Sequence, residues 1–477
     1  MKVLLLIPPT DLKKSYGKLK IFSNPQPSIG IAYISAVLRE DGHDVKIVDA
    51  YVGGHSLLEI MENIKQYEPG AVGISVLTPS AEVVYEISRH IRIKFPDIKI
   101  IMGNMHASLF SDEILFEGHA DFVVHREGEF TMRELVRALQ NNGNIDSIQG
   151  ISFQRNGTIV HNPLRPHIEN LDELPFPAWD LLSTTKYTTD PRTTIIKNVV
   201  ERQILATRGC PNQCTFCSSR TEKSLGSKYR MREPKKVVDE MVYMYEHYGN
   251  NVFAFVDLAF PLIRRHATEL CSEIINRGYG EIFKWTTECR VRPLDEELLR
   301  HMRKAGCVRV CFGIESGDNE ILRMLKKNFT TDDVRYAMSM ARNADLEADG
   351  MFMIGLPGET EGTIRKTIKL AIEINVRYAI FNIFVPYPGC ELYATLKAEN
   401  KIHFNNRSDF TSYPAYSGGT PVYTPDGITH YQLMNLQKYA MQKYYFRPKF
   451  VYQELKRLKL SQIRKYYEGF KALLLSR

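Results

Sequence analysis

Two runs of short apolar segments that alternate with amphipathic ones restrict this chain to an α/β fold in two parts. In the first run, residues 3–7, 44–49, 71–76 and 99–102 read as buried strands, and residues 29–40, 57–67 and 81–95 as helices. Such alternation predicts a doubly wound parallel sheet, with ligands beyond the carboxyl ends of its strands. The loops that matter are then 8–28, 77–80, 103–108 and 125–129. In the second run, helices at 234–248, 264–277 and 295–305 alternate with strands at 252–257, 284–288 and 308–313, and strands at 347–354 and 378–384 follow. This repetition predicts a parallel barrel with its active site at the strand carboxyl ends. Between the runs, Asn156-Gly157 marks a hairpin over 150–162 and Leu174-Pro175-Phe176-Pro177 marks a linker. The expected divisions are 1–145, a hairpin and linker over 146–200, a catalytic unit over 201–400, and a helical, basic region over 401–477.

The catalytic unit opens on Arg208-Gly209-Cys210-Pro211-Asn212-Gln213-Cys214-Thr215-Phe216-Cys217. Three thiolates at this spacing are one ligand short of a closed metal site. Held by three cysteines, a four-iron cluster keeps one iron open to a small molecule. A structural zinc site would need a fourth Cys or His nearby, but the next cysteine is Cys271 and His247 stands alone on a predicted helix. A disulfide reading also fails, because three close thiols cannot all pair with one another.

This run resembles the C-x3-C-x2-C signature of the radical S-adenosylmethionine (SAM) superfamily, including the aromatic Phe216 before the last cysteine. The resemblance implies a [4Fe-4S] cluster on Cys210, Cys214 and Cys217. SAM would chelate the open iron and be cleaved to a 5′-deoxyadenosyl radical. It also implies a partial, six-unit barrel. Asp257, Arg290 at the end of a W-x-x-x-x-R segment, and Glu315 and Ser316 in Gly313-Ile314-Glu315-Ser316-Gly317 become SAM-site candidates. So do Gly355 and Gly358 in the 350–359 segment, and Pro386 in Val385-Pro386-Tyr387-Pro388-Gly389. Two positions depart from the family pattern. Leu258 replaces a carboxylate after Asp257, and Cys390 stands where Thr is usual, which adds a thiol as an adventitious ligand.

The N-terminal third resembles the Rossmann-like cobalamin-binding domain of B12-dependent radical SAM enzymes. The resemblance rests on Pro27-Ser28-Ile29-Gly30-Ile31-Ala32-Tyr33, Gly103-Asn104-Met105-His106-Ala107 and Glu127-Gly128-Glu129, in that order. It implies cobalamin as second cofactor, bound base-off without a protein histidine, since Asp41-Gly42-His43 lacks the glycine of a D-x-H-x-x-G pattern and reads as a turn into the second strand. Leu77, Thr78 and Pro79 are candidates for the lower face, with helix capping as the alternative for Thr78. Gly103 and His106 are candidates for the cofactor tail. Glu127 either meets the cofactor or, with Glu129, only starts a helix.

Apolar and charged contents of 44% and 25% are ordinary for a globular protein, and no window has the ~20 apolar residues of a membrane span. Eight cysteines without a secretory signal fit a reducing, cytoplasmic setting. The net charge of +7 resides in the tail, where Arg447 and the residues after it hold nine Lys and Arg against two Glu. There Val451, Leu455, Leu458, Gln462, Tyr466, Phe470 and Leu474 recur at helical spacing between basic residues. Such a helix either lies on an anionic membrane or packs on the barrel. No nucleic-acid-binding module accompanies it. Residues 412–426 read as a substrate-facing loop.

Taken with the resemblance, these features predict a methyltransferase acting on an unactivated carbon of a small molecule, lipid or tetrapyrrole, with flavodoxin or ferredoxin as electron donor. The rivals are a cyclase with the same cofactors and a sensor that never turns SAM over.

Overall fold

The structure is a computed structural model, and it describes residues 1–22, 26–182, 187, 201–221, 226–457 and 463–474. The first sheet contains β1 (Lys2–Ile7), β2 (Asp44–Asp49), β3 (Ala71–Ser75), β4 (Lys99–Gly103), β5 (Phe122–Val124), β6 (Ile151–Arg155) and β7 (Thr158–His161), in the order β2-β1-β3-β4-β5-β6-β7. Its first five strands are parallel. Side chains alternate across β1. Val3 and Leu5 face the helices Ile29–Glu40 and Glu129–Asn141, while Leu4 and Leu6 face Leu57–Tyr67 and Ala81–Lys94. Both faces are therefore covered, as parallel sheets require. The order reverses between β1 and β3, which makes their carboxyl ends the ligand-binding crevice.

The expected helices form where capping and periodicity agree. Leu57–Tyr67 starts on a Ser56/Glu59 capping box, and Pro234–Tyr248 has Pro at its first position and left-handed Gly249 after its last. One division needs correction. The hairpin β6-β7 is not part of a separate linker, because β6 pairs antiparallel with β5 and extends the first sheet. Two short helices, Asn104–Leu109 and Ser111–Phe116, also form where the sequence predicts a loop or nothing.

The second sheet runs β8 (Arg202–Ile204), β11 (Val252–Phe255), β12 (Lys284–Cys289), β13 (Cys307–Glu315), β14 (Glu347–Ile354) and β15 (Ala379–Ile383). Every neighbouring pair is parallel, and the sheet is open between β8 and β15. This is the expected six-stranded partial barrel. Between β8 and β11, β9 (Thr207–Arg208) and β10 (Arg230–Met231) form a separate antiparallel ladder at the base of the cysteine loop.

Outward-facing Phe253, Trp285, Phe312, Phe352 and Phe381 build the main core with the surrounding helices. The alternate positions Cys311, Met351, Met353 and Asn382 are half-buried and face the lumen. Trp285 is fully buried and donates from Nε1 to Ala305 O at 2.8 Å. Trp285→Ala is expected to cost about 3–5 kcal/mol. Denaturant unfolding followed by circular dichroism measures it, and a cost below about 1 kcal/mol would show that the site collapses around the loss.

At the C-terminus the structure has two helices, Pro448–Arg457 and Ile463–Leu474, in place of one expected helix. Leu458 and Gln462 lie outside the described residues. Phe450 packs on the barrel core, Glu454 pairs with Arg377, and Ala472 and Leu473 pack on Leu19 and Tyr416. Val451, Leu455, Phe470 and Leu474 remain largely exposed. The helices thus pack on the molecule, and exposed Val451, Leu455 and Phe470 line an open cavity.

Candidate active site

The loop from Gly209 to Tyr229 is anchored at its base by the β9-β10 ladder, with Arg208 opposite Arg230. Gly209 has φ of +84°, and a Cβ there would lie 2.0 Å from Lys228 O, so only glycine fits. Cys210 N donates to Gly226 O, and Cys217 N donates to Cys214 O, both at 3.2 Å. Further on, Thr215 N donates to Leu325 O and Leu392 N to Thr215 O, which ties the loop to barrel segments on two sides.

Each thiol has a polar neighbour. Asn212 Nδ2 lies 3.2 Å from Cys210 Sγ, Arg290 Nη1 lies 3.5 Å from Cys214 Sγ, and Ser219 Oγ lies 2.9 Å from Cys217 Sγ. Donors aimed at sulfur stabilise thiolates and tune iron-sulfur clusters. The residues present therefore fit a three-thiolate cluster. Among the described residues, no three His, Cys, Asp or Glu side chains close on a single-ion position.

Several expected SAM-site residues gather beside this loop. Arg290 also donates from Nη2 to Lys327 O at 2.7 Å, and Lys327 Nζ pairs with Glu315 Oε1 at 3.0 Å while lying 5.5 Å from the centre of the Phe216 ring. Lys327 is a residue that sequence reasoning missed, since nothing local distinguishes it from a surface lysine. Glu315 sits at a φ of +70°, a conformation costly for a non-glycine residue and a mark of local constraint. Gly358 has φ of +76° and open space around it, and Pro386 lies buried just beyond β15.

Other expectations change. Ser316 is fully buried, lies 3.3 Å from Thr367 Oγ1 and accepts from Asp318 N, so its side chain braces the turn. Gly355 has φ of +82°, and a Cβ there would come 2.7 Å from Leu433 Cδ2 on the helix His430–Tyr445, so glycine allows this close approach. Asp257 accepts from Ala206 N at 3.1 Å and Thr207 Oγ1 at 2.6 Å, with Thr207 N also bound, and it braces the chain entering β9. Burial pushes its carboxyl up to about 6 against those donors. Leu258 is half-exposed. Cys390 Sγ accepts from Tyr393 N at 3.3 Å as the cap of Glu391–Ala398. Burial pushes its thiol up to about 11.

Glu359, which follows Gly358, has Oε2 bound by Leu356 N at 2.9 Å and Oε1 buried without a partner. Burial pushes this carboxyl up to about 8. An unfolded Glu ionises near 4.5, so the folded chain holds the proton more tightly and stability falls as pH rises between those values. Thermal unfolding between about pH 6 and 8, above the Asp257 range, should therefore show a declining midpoint in the native protein and a flatter one in Glu359→Gln. Parallel profiles would mean Glu359 is ionised when folded.

Beyond the carboxyl ends of β1 and β3 lies a cavity of about 1340 Å³, bounded by Ile7, Pro8, Ser75, Leu77 and Asn104 on one side and by Asn382, Tyr387 and Phe410 on the other. Aromatic and aliphatic side chains dominate, and Asp11, Lys14, Glu82 and Glu454 are the charged ones among the described lining residues. Its place at the strand-order reversal and its size suit a corrin. Leu77, 51% exposed, and Pro79 line it. Asn382 was not anticipated. It lines the same cavity, and its Oδ1 is buried with no hydrogen-bond partner, which leaves an acceptor for a ligand.

The remaining candidates stand behind that surface. Thr78 Oγ1 lies 3.3 Å from His106 Nδ1, and Tyr85 Oη lies 3.0 Å from His106 Nε2, so Thr78 neither caps the next helix nor lines the cavity. His106 is fully buried, and burial with nearby Arg407 pushes it down to about 3, so it is neutral. Gly103 precedes the helix that carries His106 and does not line the cavity either. Glu127 binds Arg208, Arg230 and His167 and is turned away from the cavity. His43 lies at the amino end of β2, the far edge of the sheet, with Nε2 3.2 Å from Asp41. Neither histidine lines the cavity. The Co(II) resonance of the cobalamin-loaded protein should show no imidazole nitrogen splitting, and His43→Ala and His106→Ala should leave it unchanged. A splitting lost in either variant would contradict this placement.

Comparison with known proteins follows the same division. The B12 binding domain model matches residues 22–136 and the radical SAM superfamily model matches residues 204–371. An uncharacterized methyltransferase of Pyrococcus horikoshii is 32% identical over 95% of each chain. An anaerobic magnesium-protoporphyrin IX monomethyl ester cyclase of Cereibacter sphaeroides is 27% identical over 88% of this chain and 68% of its own. The hopanoid C-3 methylase of Methylococcus capsulatus is 27% identical over 79% and 70%. Among solved structures, the cobalamin-dependent SAM radical enzyme OxsB, with aqua-cobalamin and SAM bound, superposes with a TM-score of 0.73 at 16% identity, over all of this chain and 71% of that one. A cluster loop at the mouth of a partial barrel, a corrin-sized cavity at the switch point of a doubly wound sheet, and a relative matched along nearly the whole chain agree: the protein belongs to the cobalamin-dependent radical SAM enzymes.

Proposed function

We propose that this enzyme transfers a methyl group to an unactivated carbon of an apolar, amphiphilic small molecule of the lipid or tetrapyrrole class. The observation that carries this reading is the junction at Gly389, where a Cβ would lie 2.8 Å from Thr221 Cγ2 of the cluster loop and 3.1 Å from Leu109 Cδ1 of the B12-binding domain. The two cofactor-bearing units abut at the barrel mouth. When bound, the cluster and SAM supply a radical able to take a hydrogen atom from carbon, and cobalamin supplies the methyl group.

The chain's own residues hold, orient and exclude water. Cys210, Cys214 and Cys217 hold the cluster, with Arg290 bracing Cys214. Glu315 and Lys327 present paired charges beside Phe216, suited to the amino and carboxylate groups of SAM. The aromatic cavity wall favours an apolar substrate, and its volume exceeds the ~300–1,000 Å³ of ordinary ligand pockets, leaving space beside a corrin. One relative acts on a tetrapyrrole and another is named for a hopanoid. Val451, Leu455, Tyr467 and Phe470 line the open wall of this cavity, and with Lys449, Lys456, Arg457 and Lys471 beside them they suit a cavity mouth that meets an anionic membrane from which such a substrate is drawn. A flavodoxin or ferredoxin would reduce the cluster, and eight free thiols suit the cytoplasm where such donors work.

The test is incubation of reduced enzyme with trideuteriomethyl SAM and the lipid and pigment extracts of the source cells. The expected result is one product that gains a trideuteriomethyl group. An oxidised or ring-closed product without label would instead favour the cyclase reading.

A further inference from the structure

We propose that Glu127 and Glu129 are positioning residues that lock the cluster loop onto the B12-binding domain through Arg208. Both carboxylates stand just after β5, the last parallel strand of the first sheet. Arg208, two positions before Cys210, spans them: its Nη1 lies 3.0 Å from Glu127 Oε1 and its Nη2 lies 2.7 Å from Glu129 Oε1. Its guanidinium also lies 5.1 Å from the Tyr33 ring centre, on the helix that follows the first crossover loop. Opposite it on the ladder, Arg230 Nη1 reaches Glu127 Oε1 and Oε2 at 2.9 and 2.7 Å and donates to Ile168 O at 2.7 Å. Ile168 N returns a bond to Glu127 Oε2 at 2.9 Å.

All four charged residues are more than nine-tenths buried. Burial alone would raise the Glu127 carboxyl, but His167, Arg208 and Arg230 outweigh it and hold it down to about 2. Apolar surfaces can slide past one another. A forked guanidinium between two buried carboxylates has one geometry, and breaking it strands a charge without water. Both strands at the base of the cluster loop are thereby fixed to the domain that carries cobalamin, which sets the separation of cobalt and cluster. This holds whichever carbon the enzyme modifies.

The test compares Glu127→Gln and Glu129→Gln in the full-length chain by hydrogen exchange, and by the magnetic interaction between Co(II) and the reduced cluster in loaded protein. Exchange at residues 205–209 and 228–231 should rise at least about tenfold in both variants, with helices Leu57–Tyr67 and Arg264–Asn276 unchanged. The Co(II) line broadened by the cluster should change shape, and Glu129→Asp should restore part of it. Unchanged exchange with an unchanged line, or a uniform rise across both domains, would overturn the proposal. If Glu127→Gln fails to fold, Glu129→Gln, which removes a single contact to Arg208, decides it alone.

Discussion

Replacing Cys210, Cys214 and Cys217 together with Ala is expected to reduce SAM cleavage to background while cobalamin binding stays within about twofold of the native value. The three thiols sit on one loop beside the second sheet, and no described residue of that loop lines the cavity at the carboxyl ends of β1 and β3. Cys210 and Cys217 are only half-buried, and no disulfide is lost, so the folding cost is small. Anaerobic reconstitution should give about four irons per native chain and fewer than one in the variant. Retained cleavage of SAM by the variant would remove the cluster from its assigned residues.

Gly209→Ala should come next in effect. Its Cβ would have to occupy a point 2.0 Å from Lys228 O, and neither backbone can retreat without opening the β9-β10 ladder. Gly118 is the control, with φ of +72° and nothing within 4 Å of its Cβ position. Gly118→Ala should cost only the left-handed backbone penalty of about 1–2 kcal/mol. Gly209→Ala should cost more and bind less than half the native iron, measured by metal analysis after reconstitution. Equal iron in both variants would show that the loop tolerates a side chain where the geometry forbids one.

Elements were legible wherever the pattern was local. The helix Ile29–Glu40, the strand Asp44–Asp49 and the helix Pro234–Tyr248 follow from periodicity and end signals within a few residues of each position. The cysteine loop was legible because ligand spacing is itself local. What the sequence could not convey was the direction of side chains. Motif order places Thr78, His106 and Glu127 correctly at strand ends, yet Thr78 and His106 bind each other and Glu127 binds arginines about a hundred residues away. Gly355 faces Leu433, which arrives from the helix His430–Tyr445. Cys390 looks like a spare ligand, but it caps a helix, as the usual Thr would. Each departure arises from a partner distant in sequence.

The C-terminal region shows the same limit. Its apolar spacing fits both packing and membrane contact, and the structure buries Phe450 and Leu473 while leaving Leu455 and Phe470 exposed at the wall of the cavity. Deleting residues 447–477 should lower the unfolding midpoint as well as vesicle binding, because Glu454 pairs with buried Arg377. Vesicle binding lost with unchanged stability would mean that these helices do not pack on the barrel.

On the proposed methyl transfer, each turnover consumes two SAM molecules, one as methyl source and one as radical source. The most direct measurement is the ratio of S-adenosylhomocysteine to 5′-deoxyadenosine formed per labelled product under a chemical or flavodoxin reductant. Methyl transfer through both cofactors requires equal amounts of the two, each matching product. Deoxyadenosine with no corresponding S-adenosylhomocysteine would contradict it and assign the site to ring closure or oxidation.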